Sequence, residues 1–255
     1  PGLKFQCRES FDHGRSHYDH PLGSRFEEMD AVAFFDNVLV PWERVFLLGD
    51  VALCNNMQMA TNRHLHAGQQ VVTRNVAKCE FVLGLANLMT ETLGSNDSTQ
   101  VQTMIAEIIE NLEVTRSCLR TAEVDAKIDE WGVMCPAELP LQVARNIFIR
   151  MYPRMGEILH LLGSSSLMAL PSEADMSGPL AEDISRYLET DTSSARDRVQ
   201  LFRLAWDVSC SAFGARQILY ERFFQADSVR NAVILYNMTD REPASDIVRE
   251  FLAQD

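Results

Sequence analysis

No run of apolar residues in this chain approaches the ~20 needed to span a bilayer, so no membrane-spanning helix is expected. Basic residues are in short supply. The 23 Lys and Arg stand against 36 Asp and Glu, a net charge of −13. A surface of that sign repels phosphate backbones and anionic lipid, which argues against nucleic-acid or membrane partners. Cysteine occurs six times (Cys7, Cys54, Cys79, Cys118, Cys135, Cys210) but never as CxxC. The chain is too large and too helix-rich for a disulfide scaffold, so these are expected to be reduced thiols, mostly buried. Only His64-x-His66 has close ligand spacing, and no metal site is expected. A GxSxG elbow, a Ser-His-Asp order and a GxGxxG after a strand are all missing, which leaves α/β-hydrolase and Rossmann chemistry unsupported. There is no repeat and no low-complexity tract. Nor is there an initiator Met or a leader with a basic and then an apolar region. The expectation is a cytoplasmic protein of which this is a piece, since Pro1-Gly2-Leu3-Lys4-Phe5 reads as the middle of a strand-and-turn region.

What is present divides near residue 50. Residues 1–50 read as the end of a β domain and its junction. Ala31-Val32-Ala33-Phe34-Phe35 and Val38-Leu39-Val40 are short apolar runs with a turn signal, Asp36-Asn37, between them, and Pro41 closes the second. Residues 51–255 carry helical periodicity. In one long helix Val72, Val76, Cys79, Leu83 and Ala86 recur at threes and fours, and Gly94 stops it. A second helix follows the cap region 95–98. Its stripe is Val101, Ile105, Ile108, Leu112, Thr115, Leu119, Ala122 and Ala126, with Gly132 as its stop. A third is expected over 141–162, kinked or split by Pro153. Gly163, Ser164, Ser165 and Ser166 break its pattern. A polar connection over 171–192 holds one short helix near 180–188. A fourth long helix runs from the cap Ser193 or Ser194 to about Phe223, and shorter ones cover 229–238 and 245–252. The fold class is therefore mainly α, an antiparallel four-helix bundle preceded by the last strands of a β domain.

Some residues break these patterns. On the fourth helix the stripe Val199, Phe202, Trp206, Ser209, Phe213, Arg216, Tyr220 puts an arginine on the buried face. A buried guanidinium must be paired. It is either an internal ion pair, an escape to water at a helix end, or a fork for an anionic ligand. His64 and His66 point to different sides of a helix, so they make a poor metal pair; either could act as a general acid or base, or simply be solvated. The break at Gly163, Ser164, Ser165 and Ser166 offers hydroxyls and free N–H groups to a phosphate or ring carbonyl, without the lysine of a P-loop. The junction Gln225-Ala226-Asp227-Ser228-Val229-Arg230-Asn231 reads by default as a helix start capped by Asp227 or Ser228.

Three separated segments resemble a known family. They are Ser24-Arg-Phe-Glu-Glu-Met-Asp-Ala-Val-Ala-Phe-Phe-Asp-Asn-Val-Leu-Val-Pro-Trp-Glu-Arg-Val-Phe46; His64-Leu-His-Ala-Gly-Gln-Gln70 with Ala77-Lys-Cys-Glu-Phe81; and Phe213-Gly-Ala-Arg-Gln-Ile-Leu-Tyr-Glu-Arg-Phe-Phe224 with Asp227-Ser-Val-Arg-Asn231. They resemble, in order, the junction, first bundle helix and closing motif of the 4-hydroxyphenylacetate 3-monooxygenase family, which includes the chlorophenol monooxygenases. These are the oxygenase components of two-component, reduced-FAD-dependent phenol hydroxylases.

The resemblance covers essentially the whole chain and implies an acyl-CoA dehydrogenase-like C-terminal bundle. It implies FAD, arriving as FADH2 from a separate flavin reductase, O2 and a phenolic substrate as partners, and a homotetramer or dimer of dimers. It implies a C4a-hydroperoxyflavin that hydroxylates a phenol, 4-hydroxyphenylacetate or a chlorophenol, with chloride expelled where the attacked carbon bears it. By the same resemblance His66, with His64 as the fallback, deprotonates the phenol. Arg216 lies near substrate and flavin. FAD is touched by Gly163, Ser164, Ser165 and Ser166 and by Gln225, Ala226, Asp227, Ser228, Val229, Arg230 and Asn231. The rival readings are a 4-hydroxybutyryl-CoA dehydratase-like enzyme and a non-catalytic helical oligomerisation module. The first needs cysteine ligands about two turns after the histidines, where this chain has Val71 and Thr73.

Overall fold

The computed structural model describes residues 1–254. Strand β1 (Leu3–Cys7) pairs antiparallel with β2 (Ala31–Phe35), Phe5 opposite Ala33. Between them lies a single helical turn, α1 (Gly23–Phe26). The expected strand over 38–40 does not form. Leu39 and Val40 are exposed coil leading into a 3₁₀ turn at Trp42–Arg44, and among the described residues no strand pairs with them.

Helix α2 (Val51–Ala60), capped by Asp50, is separate from α3 (Arg63–Leu93). Asn62 divides them in the left-handed region at φ 52°, which asparagine tolerates better than most residues. Gly94, at φ 62°, ends α3 as expected. Helix α4 (Thr99–Val124) buries Ile108, Leu112, Thr115 and Ala122, four members of the expected stripe. It stops at Val124 and not at Gly132. Gly132, at φ 79°, turns a small hairpin made by β3 (Lys127–Ile128) and β4 (Met134–Cys135).

Helix α5 (Glu138–Met168) runs through Pro153 with helical dihedrals. It departs at one residue only, Ser164 (φ 45°, ψ −131°), so 163–166 is a kink within a helical run and not a loop. Helix α6 (Ala181–Leu188) is the short helix of the connection. The expected fourth helix is two. Helix α7 (Ala195–Ser209) is capped by Ser194, and α8 (Ala212–Phe223) restarts after Cys210 with Ser211 as its N-cap, accepting from Gly214 N. A Cβ on Gly214 would sit 2.7 Å from backbone atoms of Asp207, Val208 and Ser209, so only glycine lets α8 begin so close to the end of α7. Helices α9 (Ser228–Met238) and α10 (Glu242–Leu252) complete the chain.

The bundle proper is α3, α4, α5 and α7. Its core joins Cys79, Ala86 and Met89 of α3, Ile108 of α4, Phe148, Met155, Ile158 and Leu159 of α5, and Phe202 and Ala205 of α7. Burying one such large side chain contributes about 1.5–3 kcal/mol. Asp207 ties the N-terminal segment to this bundle. It is fully buried and accepts from Leu22 N (2.7 Å), Gly23 N (2.8 Å) and Ser211 Oγ (2.8 Å). Cysteines are less buried than expected: Cys79 and Cys135 are buried, Cys118 and Cys210 half-buried, Cys7 and Cys54 exposed, all as thiols. Burial pushes the Cys79 thiol up to about 12. No helix among the described residues is long and apolar enough to cross a membrane.

Candidate active site

The two histidines at the start of α3 sit in different surroundings. His64 is held at both nitrogens, Nδ1 3.0 Å from the Gln58 carbonyl oxygen and Nε2 3.6 Å from Glu138 Oε1. His66 is exposed, and the side chain nearest its Nε2 is the Cys135 thiol at 3.5 Å. That thiol also faces Asp129 Oδ2 at 3.4 Å, while Asp129 accepts from Asn62 Nδ2 at 3.0 Å. Burial first, then the Asp129 carboxylate, pushes the Cys135 thiol up. Both effects disfavour the thiolate, the form a cysteine nucleophile needs. Among the described residues the Cys135 thiol is the one side-chain partner recorded for the His66 ring.

Arg216 is paired with a carboxylate that no helix supplies. Its Nε donates to Asp30 Oδ2 at 2.9 Å and its Nη2 to Asp30 Oδ1; Glu28 lies 3.5 Å away. Arg8 donates to the same Asp30 at 2.9 Å. The Arg216 guanidinium stacks 4.9 Å over the Tyr220 ring. The Arg216 hydrogen bonds, then those of Arg8, hold the Asp30 carboxyl well below the usual carboxylate range. So Arg216 locks α8 to the residue before β2, and one face of its fork is spent.

Beside Tyr220 lies a further group that the periodicity does not reveal. A cavity of about 520 Å³ opens between α1, α3, α5 and α8. On its α3 wall Arg74 and Lys78, one turn apart, both reach the fully buried carboxylate of Glu221. Arg74 Nη2 is 2.7 Å from Oε2, and Lys78 Nζ contacts Oε1. Lys78 also lies 3.4 Å from Gln217 Oε1 and 5.4 Å from the centre of the Tyr152 ring. Burial, then Glu221, pushes the Tyr152 phenol above its ordinary value. The sequence signal is the i,i+4 pair of cations beside the Cys79 stripe, with Gln217 and Glu221 at the same spacing on α8.

At the kink in α5, Gly163 is buried, Ser164 and Ser165 are exposed, and Ser166 accepts from Arg198 Nη2 at 3.5 Å. Ser164 holds a backbone conformation normally left to glycine, strain of the kind that collects at ligand-binding positions. Arg198, on α7, supplies the cation that the 163–166 segment lacks. Among the described residues no carboxylate pairs with it. A cavity of about 220 Å³ lies between it, Ser165 and Ser166.

The junction 225–231 is turned inward more than its sequence indicates. Gln225 Nε2 donates to Asn75 Oδ1 at 3.2 Å, and Asn75 Nδ2 donates back to Gln225 Oε1 at 3.4 Å. Asn231, fully buried, donates to the carbonyls of Gln225 (2.7 Å), Ala226 (2.8 Å) and Asp227 (3.1 Å) and accepts from Gln142 Nε2 (2.9 Å). Ala226 sits at φ 73°. Asp227 is the cap of α9, accepting from Val229 N and Arg230 N. The side chains of Gln225 and Asn231 are thus committed within the chain, and only Asp227, Ser228, Val229 and Arg230 present an outer edge.

A helical bundle of this order, entered from an antiparallel strand pair, has the acyl-CoA dehydrogenase-like fold. Within that class the chain belongs to the 4-hydroxyphenylacetate 3-hydroxylase family. Residues 54–253 match its C-terminal model, and residues 1–47 its N-terminal one. It is 49% identical over 254 residues to the 4-hydroxyphenylacetate 3-monooxygenase oxygenase component of Thermus thermophilus, covering 100% of this chain and 53% of that protein. It is 48% identical to the Geobacillus sp. protein of the same name, over 99% of this chain and 51% of that protein. A solved structure of such an oxygenase component, complexed with FAD and 4-hydroxyphenylacetate, superposes with a TM-score of 0.95 at 49% identity, over 100% of this chain and 53% of that one. An archaeal 4-hydroxybutyryl-CoA dehydratase superposes with a TM-score of 0.84 at 15% identity, a likeness of fold alone. The chain spans about half the length of the curated relatives it matches.

Proposed function

We propose that this chain supplies the helical-bundle half of a reduced-FAD-dependent monooxygenase that adds a hydroxyl to a phenol of the 4-hydroxyphenylacetate type. The observation that carries this is the 49% identity along the whole chain to an oxygenase component of that name. The residues fit a flavin dinucleotide. Arg198 with Ser165 and Ser166 puts a cation and two hydroxyls on one wall of an otherwise apolar recess, where a pyrophosphate would meet them, and the outer edge of 227–230 adds a helix N-terminus. When bound, reduced FAD supplies the oxygen-activating chemistry, and a separate reductase supplies the reduced FAD.

The chain's own part is to bind, orient and shield. His66 takes the phenol proton, which raises the electron density of the ring carbon ortho to the oxygen. His64, already held at both nitrogens, orients the start of α3. Arg216, paired with Asp30 and facing Glu28, keeps α8 against the strand pair beside the ligand. Phe81 and Phe213 line the adjacent cavity and keep water from the site. A ring bearing chlorine at the attacked carbon would lose it as chloride and leave as a quinone in place of a catechol. Exposed apolar residues of α9 and α10, among them Val233, Tyr236, Ile247 and Phe251, support assembly into a homotetramer.

The test is turnover of the intact protein with chemically reduced FAD, O2 and 4-hydroxyphenylacetate, following catechol product and hydrogen peroxide. His66→Ala is expected to shift the yield from catechol to peroxide while reduced FAD still binds. Unchanged coupling removes His66 from the mechanism, and no catechol from the wild type removes the function.

A further inference from the structure

Asp129 and Cys135 belong to no helix, yet both reach the start of α3. Asp129 opens the turn of the β3–β4 hairpin, where its Oδ1 accepts from Trp131 N and Val133 N, each at 2.9 Å. Its Oδ2 accepts from Asn62 Nδ2 at 3.0 Å, which ties the hairpin to the left-handed residue just before α3. Those donors, the Val133 amide foremost and then Asn62, hold the Asp129 carboxyl below its usual range. An ionised carboxylate accepts hydrogen bonds and cannot donate them. The Cys135 thiol has one proton and two neighbours, Asp129 Oδ2 at 3.4 Å and His66 Nε2 at 3.5 Å. The charged oxygen is the stronger acceptor, so the thiol proton lies towards Asp129. What sulfur then offers His66 is a lone pair, and the matching group on the ring is an Nε2–H. Other ionisable side chains stand near by, but His64 meets Glu138 and Glu123 meets Gln69. Among the described residues Arg63, Asp125, Lys127 and Glu130 form no hydrogen bond or ion pair with the His66 ring.

From this we infer that Asp129 and Cys135 are positioning residues for His66: the chain of carboxylate, thiol and imidazole fixes the ring proton on Nε2 and leaves the Nδ1 lone pair to take the phenol proton. The inference rests on the reading of His66 as the base and adds the atom it uses. In that step the phenol O–H bond breaks, an Nδ1–H bond forms, and the electron pair stays on oxygen as phenolate. The imidazolium so made keeps its Nε2–H on sulfur, with the Asp129 charge one hydrogen bond further on. The relay therefore favours the charged ring as it forms. Neither Asp129 nor Cys135 has to touch substrate or flavin to do this.

The test is the pH dependence of hydroxylation by the intact protein, followed in single turnovers with reduced FAD, O2 and 4-hydroxyphenylacetate. Cys135→Ala removes the link. Hydroxylation at pH 7 is expected to slow about 2- to 12-fold, the worth of one hydrogen bond. The acid limb of the profile is expected to move down by about 0.4–1.1 pH units, since the imidazolium loses its support. Affinity for 4-hydroxyphenylacetate should stay within about 2-fold, because the lost contact acts on the proton transfer and not on binding. Cys135→Ser keeps one proton and its lone pairs, and is expected to keep the wild-type profile. The last arm is a cycle with His66→Ala, in which Cys135→Ala is expected to have no further effect. A wild-type profile in Cys135→Ala overturns the inference. So does a serine variant as slow as the alanine, or a loss that persists when His66 is already gone. Normal hydroxylation by His66→Ala alone removes the base, and this relay with it. No catechol from the wild type removes the function itself.

Discussion

Asn231→Asp changes one atom in a fully buried side chain and should be among the most damaging isosteric substitutions in the chain. The Asn231 amide nitrogen donates to the carbonyls of residues 225, 226 and 227 at 2.7, 2.8 and 3.1 Å. Replacing it with oxygen turns each of these contacts into acceptor against acceptor. Two amide hydrogens are lost, at about 0.5–1.5 kcal/mol each, and buried carbonyls are left facing a carboxylate. The total should be about 3–5 kcal/mol, against about 2–4 kcal/mol for Asn231→Ala, which removes the bonds without adding the charge. The charge makes the cost depend on pH. Burial among carbonyls raises an Asp pKa above its unfolded value, so the folded state prefers the protonated form. The deficit should therefore shrink as pH falls from 8 towards 5, while that of the alanine variant stays constant. Urea unfolding of the intact protein, followed by tryptophan fluorescence at both pH values, measures this. An Asn231→Asp protein as stable as the wild type at pH 8 would refute the reading of 225–231 as an inward-facing clasp.

Ala226, at φ 73°, should accept glycine with a gain of about 0.4–1 kcal/mol, seen as a higher melting temperature. Asp207→Ala strands Leu22 N, Gly23 N and Ser211 Oγ and should cost about 3–5 kcal/mol, with early proteolysis of the segment before residue 50 as its signature. Phe148, with no exposure, should cost about 3–5 kcal/mol as Phe148→Ala in equilibrium unfolding. Asp30 is held below the ordinary carboxylate range by Arg216 and then Arg8. A carboxyl depressed on folding contributes stability that is complete above its unfolded value near pH 4 and fades as pH falls further. Asp30→Asn should therefore destabilise the protein slightly at pH 7, by less than about 1 kcal/mol for so exposed a pair, read as a lower melting temperature, and the difference from the wild type should shrink as the pH falls below about 4.

The helices that pack by a continuous apolar stripe were legible. Helix α4 could be read nearly residue by residue, because Ile108, Leu112, Thr115 and Ala122 follow the helical period and that period is what burial selects. The break between α7 and α8 was hidden for the same reason. Ser209 and Phe213 keep a helical interval across it, so the stripe looks unbroken. The clue was Ser211 three residues before Gly214, a cap at N3 spacing. Gly132 gave a true turn signal that was assigned to the wrong element, since strands of two residues leave no periodicity. At the site, His64 and His66 could be singled out but not ranked. Their difference lies in Gln58, Glu138 and Cys135, partners that only the fold brings near. Arg216 was found from its place on the stripe, while its partner Asp30 lies 186 residues away and follows no helical rule. The burial of Glu221 and Asn75 was not read, because hydrophobic periodicity says nothing about which polar residues are buried, and Asn231 was reached only through the family resemblance, as a flavin contact and not as a buried clasp.

Those polar residues are not scattered. Along α3 the buried positions run Val72, Asn75, Cys79; along α5 they run Gln142, Ala144, Asn146, Phe148. Val72 and Ala144 belong to a small apolar cluster at one end of the bundle, and Cys79 and Phe148 to the main core. Asn75, Asn146, Gln142 and Arg145 lie at the changeover, and all of them reach the 225–231 junction. A buried polar seam is a poor way to add stability, because each group must give up water for its partner. It is a good way to fix a direction, since hydrogen bonds fail over tenths of an ångström where apolar contacts slide. What this seam fixes is the exit of α8 and the start of α9. Glu221 is one turn before that exit, and the cations it holds face the cavity. The same seam that closes the bundle therefore sets where Arg74 and Lys78 sit, which is a physical reason for placing polar side chains in a core that apolar ones would stabilise more.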